Sequence, residues 1–347
     1  MSNINFFGNN LLNIIHGDCV ENNPLKYFIE KQDDYDIMNI FTIYNLKYNT
    51  NYCISIWNNC KNIIYTFSKN IQTNKIEIIG IDKDENKIIK NYVVNDNTEE
   101  TNKFKYYMYI VNDILYYTTL GDDKLIDLIM IDLNTDEVEN IIKLNDVIYT
   151  LDLEFCENNN ILYVKTYKNS KFYIISYDNE TKELNNYLME EKLNECFTFT
   201  VNNNIIYVID NDGILSKHKI NDDKTTTFIS EKILDNKKTK KKIIVDDNII
   251  YISNILCNNI FYLIAYDECT LNIKWKHKDN FFINDFKIIY NDLFLTDCNQ
   301  FVKLKKQTGK FITCCDLKNI IGFQVSRDTN VYYLQHKCVN ALIPRIK

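Results

Sequence analysis

Apolar residues along this chain fall in short runs dominated by Ile, Leu, Tyr and Phe, with clusters of Asn and Asp between them. One run keeps returning. Asn204-Ile205-Ile206-Tyr207 is nearly repeated at Asn248-Ile249-Ile250-Tyr251. Related versions are Asn62-Ile63-Ile64-Tyr65, Asp113-Ile114-Leu115-Tyr116, Asn160-Ile161-Leu162-Tyr163, Asp292-Leu293-Phe294-Leu295 and Asn330-Val331-Tyr332-Tyr333. Measured from the fourth residue, successive copies lie 51, 47, 44, 44, 44 and 38 residues apart. Each period contains four runs: 196–201, 205–210, 214–220 and 225–229 in one unit, then 242–245, 249–254, 260–266 and 272–278 in the next. None is long enough for an independent helix, and branched and aromatic side chains suit a pleated surface. Four short strands repeated at this period predict an all-β fold, a β-propeller of four-stranded antiparallel blades. The strands of a blade are named A to D from the axis outward.

The N-terminal region fits the same register. Residues 9–16 align without a gap on 203–210, with 25–30 as strand C and 37–43 as strand D. That makes eight blades, the last of them (320–347) holding three strands. In the alternative count of seven, 37–45 supplies the fourth strand of the last blade and the first 35 residues are an appendage. Either count gives one closed domain over residues 1–347.

Composition changes the picture in one respect: 347 residues include only seven Gly and two Pro. Asn and Asp must therefore make the turns, which their tolerance of the left-handed conformation allows. A net charge of −7 argues against a general nucleic-acid binder. No apolar run approaches the length of a membrane span, and Met1 to Asn10 lacks the features of a secretion signal. The expected location is intracellular, with the cytoplasm favoured. The eleven Cys are then reduced thiols, with vicinal Cys314 and Cys315 on alternate faces of one strand.

The connection between strands C and D carries a second signature. It reads Ala265-Tyr266-Asp267-Glu268-Cys269-Thr270-Leu271-Asn272-Ile273-Lys274-Trp275 in one unit. In the next it reads Lys303-Leu304-Lys305-Lys306-Gln307-Thr308-Gly309-Lys310-Phe311-Ile312-Thr313. These resemble the Ala-x-Asp-x-x-Thr-Gly-x-x-x-Trp repeat of quinoprotein-like (PQQ-type) β-propellers. Weaker copies start at Ile131-Asp132 and Tyr177-Asp178, and Ile81-Asp82 keeps the Asp but not the Thr. The resemblance implies that Asp and Thr close the turn and that Trp packs between neighbouring blades. The chain departs from it at Leu271, where the Gly would stand, and at Thr313, where the Trp would stand. It implies no cofactor, and none is expected.

Two features mark a candidate binding face. The residue three after the last position of each repeated run forms a polar column: His16, Ser68, Thr119, Thr166, Asp210, Asn254, Cys298 and His336. It falls at the end of strand B, where the B–C connections leave the blade. The second feature is a basic run, Lys237, Lys238, Lys240, Lys241 and Lys242, in a D–A connection on the same face. A metal site from His16, His336 and Cys298 is not expected, because strand ends on adjacent blades are too far apart to share an ion. His218 and His277 are expected to face solvent. Asp210-Asn211-Asp212-Gly213 reads as a hairpin turn with Gly213 at positive φ.

The function expected from these features is a non-catalytic scaffold that binds a protein partner and is monomeric outside its complex. The alternatives are a small-ligand or phosphate-binding propeller, and an enzyme of the quinoprotein-like or sugar-cleaving kind. A deep pocket with converging carboxylates would favour an enzyme.

Overall fold

The computed structural model describes residues 35–42, 48–57, 63–70, 73, 75–82, 85, 87–94, 108–111, 113–120, 126–144, 155–158, 161–168, 171–188, 197–210, 212–234, 239, 241–257, 260–279, 282–296, 300–317, 322–325, 331–335 and 338–344. All regular structure among them is β-strand.

The first strand, β1 (Tyr35–Thr42), belongs to the last blade. Blade I is β2 (Tyr48–Trp57), β3 (Ile63–Asn70), β4 (Ile76–Asp82) and β5 (Lys87–Val94). Blade II is β6 (Met108–Val111), β7 (Ile114–Leu120), β8 (Ile126–Asp132) and β9 (Val138–Leu144). Blade III is β10 (Phe155–Asn158), β11 (Ile161–Lys168), β12 (Lys171–Asp178) and β13 (Leu184–Leu188). Blade IV is β14 (Phe197–Asn202), β15 (Ile205–Asp210), β16 (Ile214–Ile220) and β17 (Thr226–Ile233). Blade V is β18 (Ile243–Asp246), β19 (Ile249–Cys257), β20 (Ile260–Asp267) and β21 (Ile273–Asp279). Blade VI is β22 (Asp285–Ile289), β23 (Asp292–Thr296), β24 (Gln300–Lys305) and β25 (Phe311–Asp316). Blade VII is β26 (Gly322–Val325), β27 (Val331–Gln335) and β28 (Cys338–Pro344), with β1 as its outer strand. Every pairing is antiparallel. Inner strands β2 and β26 meet, which joins the two ends of the series.

The eight-blade expectation is overturned. The run assigned to strand D of a first blade is β1, and β1 pairs with β28 from Tyr35↔Pro344 to Thr42↔Cys338. The described sheets number seven. The proposed first blade's other positions, His16 and 25–30, lie outside the described residues. The physical reason for the miscount is that an apolar run announces a strand but not its partner. β1 supplies the fourth, outer strand that the last sheet would otherwise lack.

The repeated run is strand B of each blade, and in β3, β7, β11, β15, β19 and β23 both its faces are buried. In β15, Ile206 and Val208 pack with Tyr163, Ile174 and Phe199, toward blade III. Tyr207 and Ile209 pack with Ile250, Ile252 and Ile264, toward blade V. Period-two alternation therefore sends successive side chains into two different inter-blade cores. The same holds in β19, where Ile250 joins the blade IV side and Tyr251 packs with Leu293 and Leu295 of blade VI.

Asn and Asp make the tight turns. Asn203 and Asn204 (φ 48° and 59°) and Asp247 and Asn248 (φ 48° and 58°) hold both central positions of A–B hairpins at positive φ. The C–D turns follow the Asp–Thr pattern. Asp132, Asp178 and Asp267 each accept two backbone N–H bonds, the shorter at 2.8, 2.8 and 2.9 Å. The Thr hydroxyl then accepts the N–H two residues on, at 3.3 Å in Thr270 and Thr308.

Each of these turns has one residue at positive φ: Asp136, Lys182, Leu271 and Gly309. The outer strand of the preceding blade reaches that residue or its turn. Lys90 and Tyr92 bind the Asp136 carboxylate, Tyr92 at 2.5 Å. Lys232 donates to the Leu271 carbonyl at 2.8 Å. Trp275 donates Nε1–H to the Lys306 carbonyl at 3.1 Å, and its ring lies where a Cβ on Gly309 would stand. The Trp and Gly of the repeat thus serve each other across a blade boundary, not within one unit. Leu271 is tolerated because a lysine, not an indole, faces it.

Two expectations about histidine are corrected. His218 is buried, edge-on to Phe228 and bonded to Ser216 Oγ at 3.1 Å. His277 is partly buried, and desolvation pushes its pKa down to about 4. Cys314 and Cys315 are free thiols buried on the two faces of β25.

Ile206→Ala should cost about 2–5 kcal/mol in denaturant unfolding, since Ile206 is fully buried between blades III and IV. A loss under about half a kcal/mol would contradict that packing. Trp275→Ala should cost about 3–5 kcal/mol. Gly309→Ala should be less damaging once Trp275 is Ala, and a double-mutant cycle measures that coupling. Additive losses would show that the two residues do not act on each other.

Candidate functional site

Inner strands and adjoining turns of blades II, IV, V and VI line an open pocket of ≈ 720 Å³ facing the propeller axis. Its wall is Tyr109, residues 199–202, 242–247, 287–288, 290–291 and Lys306. The volume is in the range of ordinary ligand sites. Its charged groups gather at the two ends of β18.

At the D–A end, the Lys242 ammonium binds the Asp285 carboxylate, and Lys287 Nζ lies 3.8 Å from the same carboxylate. Asp285 also accepts the Phe286 N–H at 2.9 Å. Burial opposes ionisation of Asp285, but the two lysines outweigh it and hold its carboxyl below the usual range. At the A–B end, Lys306 Nζ lies 2.7 Å from Asp246 and also binds Asp247. Burial would lower the Lys306 pKa, yet these two carboxylates raise it. Four residues of strand separate Lys242 from Asp246, about 13 Å at the usual rise. One end therefore carries two lysines against one carboxylate, and the other carries two carboxylates against one lysine.

The structure uses the polar column differently from a ring of exposed donors. Thr119, Asp210 and Asn254 are buried, at 2%, 3% and 2% exposure. Asp210 Oδ1 accepts the Ile214 N–H at 2.8 Å and closes the B–C turn, where Gly213 has φ 79°. Asn254, at φ 59°, exchanges two 2.8 Å bonds with the backbone of Ile283, which leads into blade VI. Ser68 and Thr166 sit on β3 and β11, paired with Glu77 and Tyr173. His16, Cys298 and His336 lie outside the described residues, as do Lys237, Lys238 and Lys240.

The remaining two lysines of the basic run are tied down. Lys241 is 3% exposed and donates to Thr239 Oγ1 at 3.1 Å, while Thr239 donates to the Asn254 carbonyl at 2.8 Å. Lys242 turns to the axis as described. Sequence reasoning missed the pocket because Lys242 and Asp285 are 43 residues apart and belong to different blades. A basic run gives no sign of which member turns inward. Among the described residues no cluster of three or more metal-ligating side chains occurs, and no helix is long and apolar enough to cross a membrane.

Asp285→Asn tests the D–A cluster. A carboxyl held low in the folded state contributes stability above the unfolded pKa, about 3.9, and loses it as pH falls through the depressed value. Wild-type stability should therefore fall more steeply than that of Asp285→Asn below about pH 4. Parallel acid limbs in denaturant titrations would contradict the pairing.

No protein-family model matches the chain, and no curated protein matches it in sequence. Solved structures do match. The Saccharomyces cerevisiae Sqt1 structure is 10% identical over 90% of this chain and 100% of that one, with TM-score 0.58. A chain in the structure of a mitotic checkpoint complex is 9% identical over 95% and 96%, with TM-score 0.59. BamB from Moraxella catarrhalis is 12% identical over 86% and 100%, with TM-score 0.50. At such identities the likeness shows the fold alone, an all-β propeller of four-stranded antiparallel blades.

Proposed function

We propose that the protein is a non-catalytic intracellular β-propeller, one domain over residues 1–347, that serves as a scaffold for a protein partner. The observation that carries this reading is the internal pairing at both ends of the axial pocket. Asp285, Asp246 and Asp247 are engaged by Lys242, Lys287 and Lys306 of the same chain, so the converging carboxylates are held as structural ion pairs. The likeness to a chain of the mitotic checkpoint complex, a named assembly, is consistent with this role. The Asp–Thr turns support kinship of the blades with the quinoprotein-like repeat, as architecture and without its cofactor.

The partner's acidic surface docks where the B–C and D–A connections emerge, and Lys237, Lys238 and Lys240 steer it there. Lys241 and Lys242 hold the fold, so a clean test leaves them in place. The partner is first captured by affinity purification from the native cell and identified by mass spectrometry. Its association rate with wild type and with the variant Lys237→Gln, Lys238→Gln, Lys240→Gln is then followed against salt. The variant should associate severalfold more slowly at low salt, with the gap closing as salt rises. Equal rates at low salt would contradict the docking face.

One observation favours a second reading. The D–A end brings the ammonium groups of Lys242 and Lys287 to a pocket of ligand size, which suits a small phosphate-bearing ligand. Calorimetric titration with inorganic phosphate should then give a binding isotherm that Lys287→Ala removes, and a flat isotherm with wild type would dismiss this reading.

A further inference from the structure

Each blade ends in an outer strand that has no further strand beside it in its sheet. Such an edge is a template for another chain, and natural edges are usually guarded by lysines. β21 shows the guard, with Lys274, Lys276 and Lys278 exposed along it. β17 does not. Its Phe228, Ile229 and Ile233 are 42%, 48% and 69% exposed, whereas β5, β9, β13 and β21 each expose one large apolar residue among the described positions. The lysine of β17 is withdrawn as well, since Lys232 Nζ is bound to the Leu271 carbonyl of the next blade. What remains is an apolar edge with negative charge. In the strand and the turn leading into it, exposed Asp222, Asp223 and Glu231 outnumber the ammonium of Lys224, which itself interacts with Asp178 of blade III.

We propose that β17 is a docking edge for an extended segment of a partner protein, with apolar and basic residues following each other at every second position along one face, which adds to blade IV as a fifth strand. Main-chain hydrogen bonds would supply the binding, and alternate side chains the selectivity. An apolar residue of the segment lies against Ile229 and Ile233, and a Lys or Arg lies beside Glu231. This rim edge does not involve the lysines of the basic run, so either proposal stands without the other.

The probe is a synthetic ten-residue peptide with threonine at every second position and valine and lysine taking turns at the positions between. Amide hydrogen exchange over residues 226–233 reads its binding. Added to wild type, it should slow exchange in β17 saturably. The double variant Ile229→Lys, Ile233→Lys changes only exposed side chains, and a thermal melt confirms that it folds. It should bind about tenfold more weakly or worse, as should the same peptide with alternate amides methylated. Glu231→Lys provides an independent variant: it should weaken the lysine peptide and spare one in which glutamate replaces lysine. The proposal is overturned by unchanged exchange in β17 up to about 1 mM peptide, or by equal binding of wild type and both variants. Sedimentation showing self-association of wild type that the double variant abolishes would assign the edge to a second copy of this chain, and would also overturn it.

Discussion

Burial of strand B on both of its faces is the constraint on which the rest of the structure depends. A residue such as Ile206 and its neighbour Tyr207 are each fully buried, yet they belong to different cores, one shared with blade III and one with blade V. Among the described side chains, the clusters on either side of blades IV and V each draw on a neighbouring blade, which is the logic of repeat architectures. The contact between β2 and β26 and the pairing of β1 with β28 follow from that need, because an unclosed series would leave the outer faces of its end blades bare.

The turns add a second tie between blades. A C–D turn places one residue in the left-handed region, and the outer strand of the blade before it settles there. The chemistry of the tie varies from an ion pair on Asp136 to an indole on Gly309, while the geometry stays the same. Where the indole is used, Gly is required twice over: for its φ of 64° and for the space the ring occupies. Elsewhere a residue with a Cβ bears the backbone cost of that conformation, and the departures from the repeat become intelligible.

Much of this was legible in the sequence. The run 205–210 was read as strand B and is Ile205–Asp210; 214–220 was read as strand C and is Ile214–Ile220. The scarcity of glycine foretold turns made by Asn and Asp. The blade count was not legible, because the apolar run of β1 does not name its partner, which lies some three hundred residues away. The site was less legible still. Asp210 and Asn254 looked like exposed strand ends, but their side chains satisfy backbone groups of the next turn or blade. Lys242 looked like one more solvated lysine, but an acidic partner on another blade draws it to the axis. Contacts between blades decide these cases, and a repeat pattern registers only contacts within one.

The account's central claim is that the ring is closed by a strand from the opposite end of the chain. It is tested most directly by removing residues 1–42 and following thermal unfolding together with amide exchange over Cys338–Pro344. Loss of β1 should speed exchange across β28, whose partners are removed, and should lower the unfolding midpoint because blade VII no longer supports its neighbours. Unchanged protection of β28 and an unchanged midpoint would contradict closure by β1.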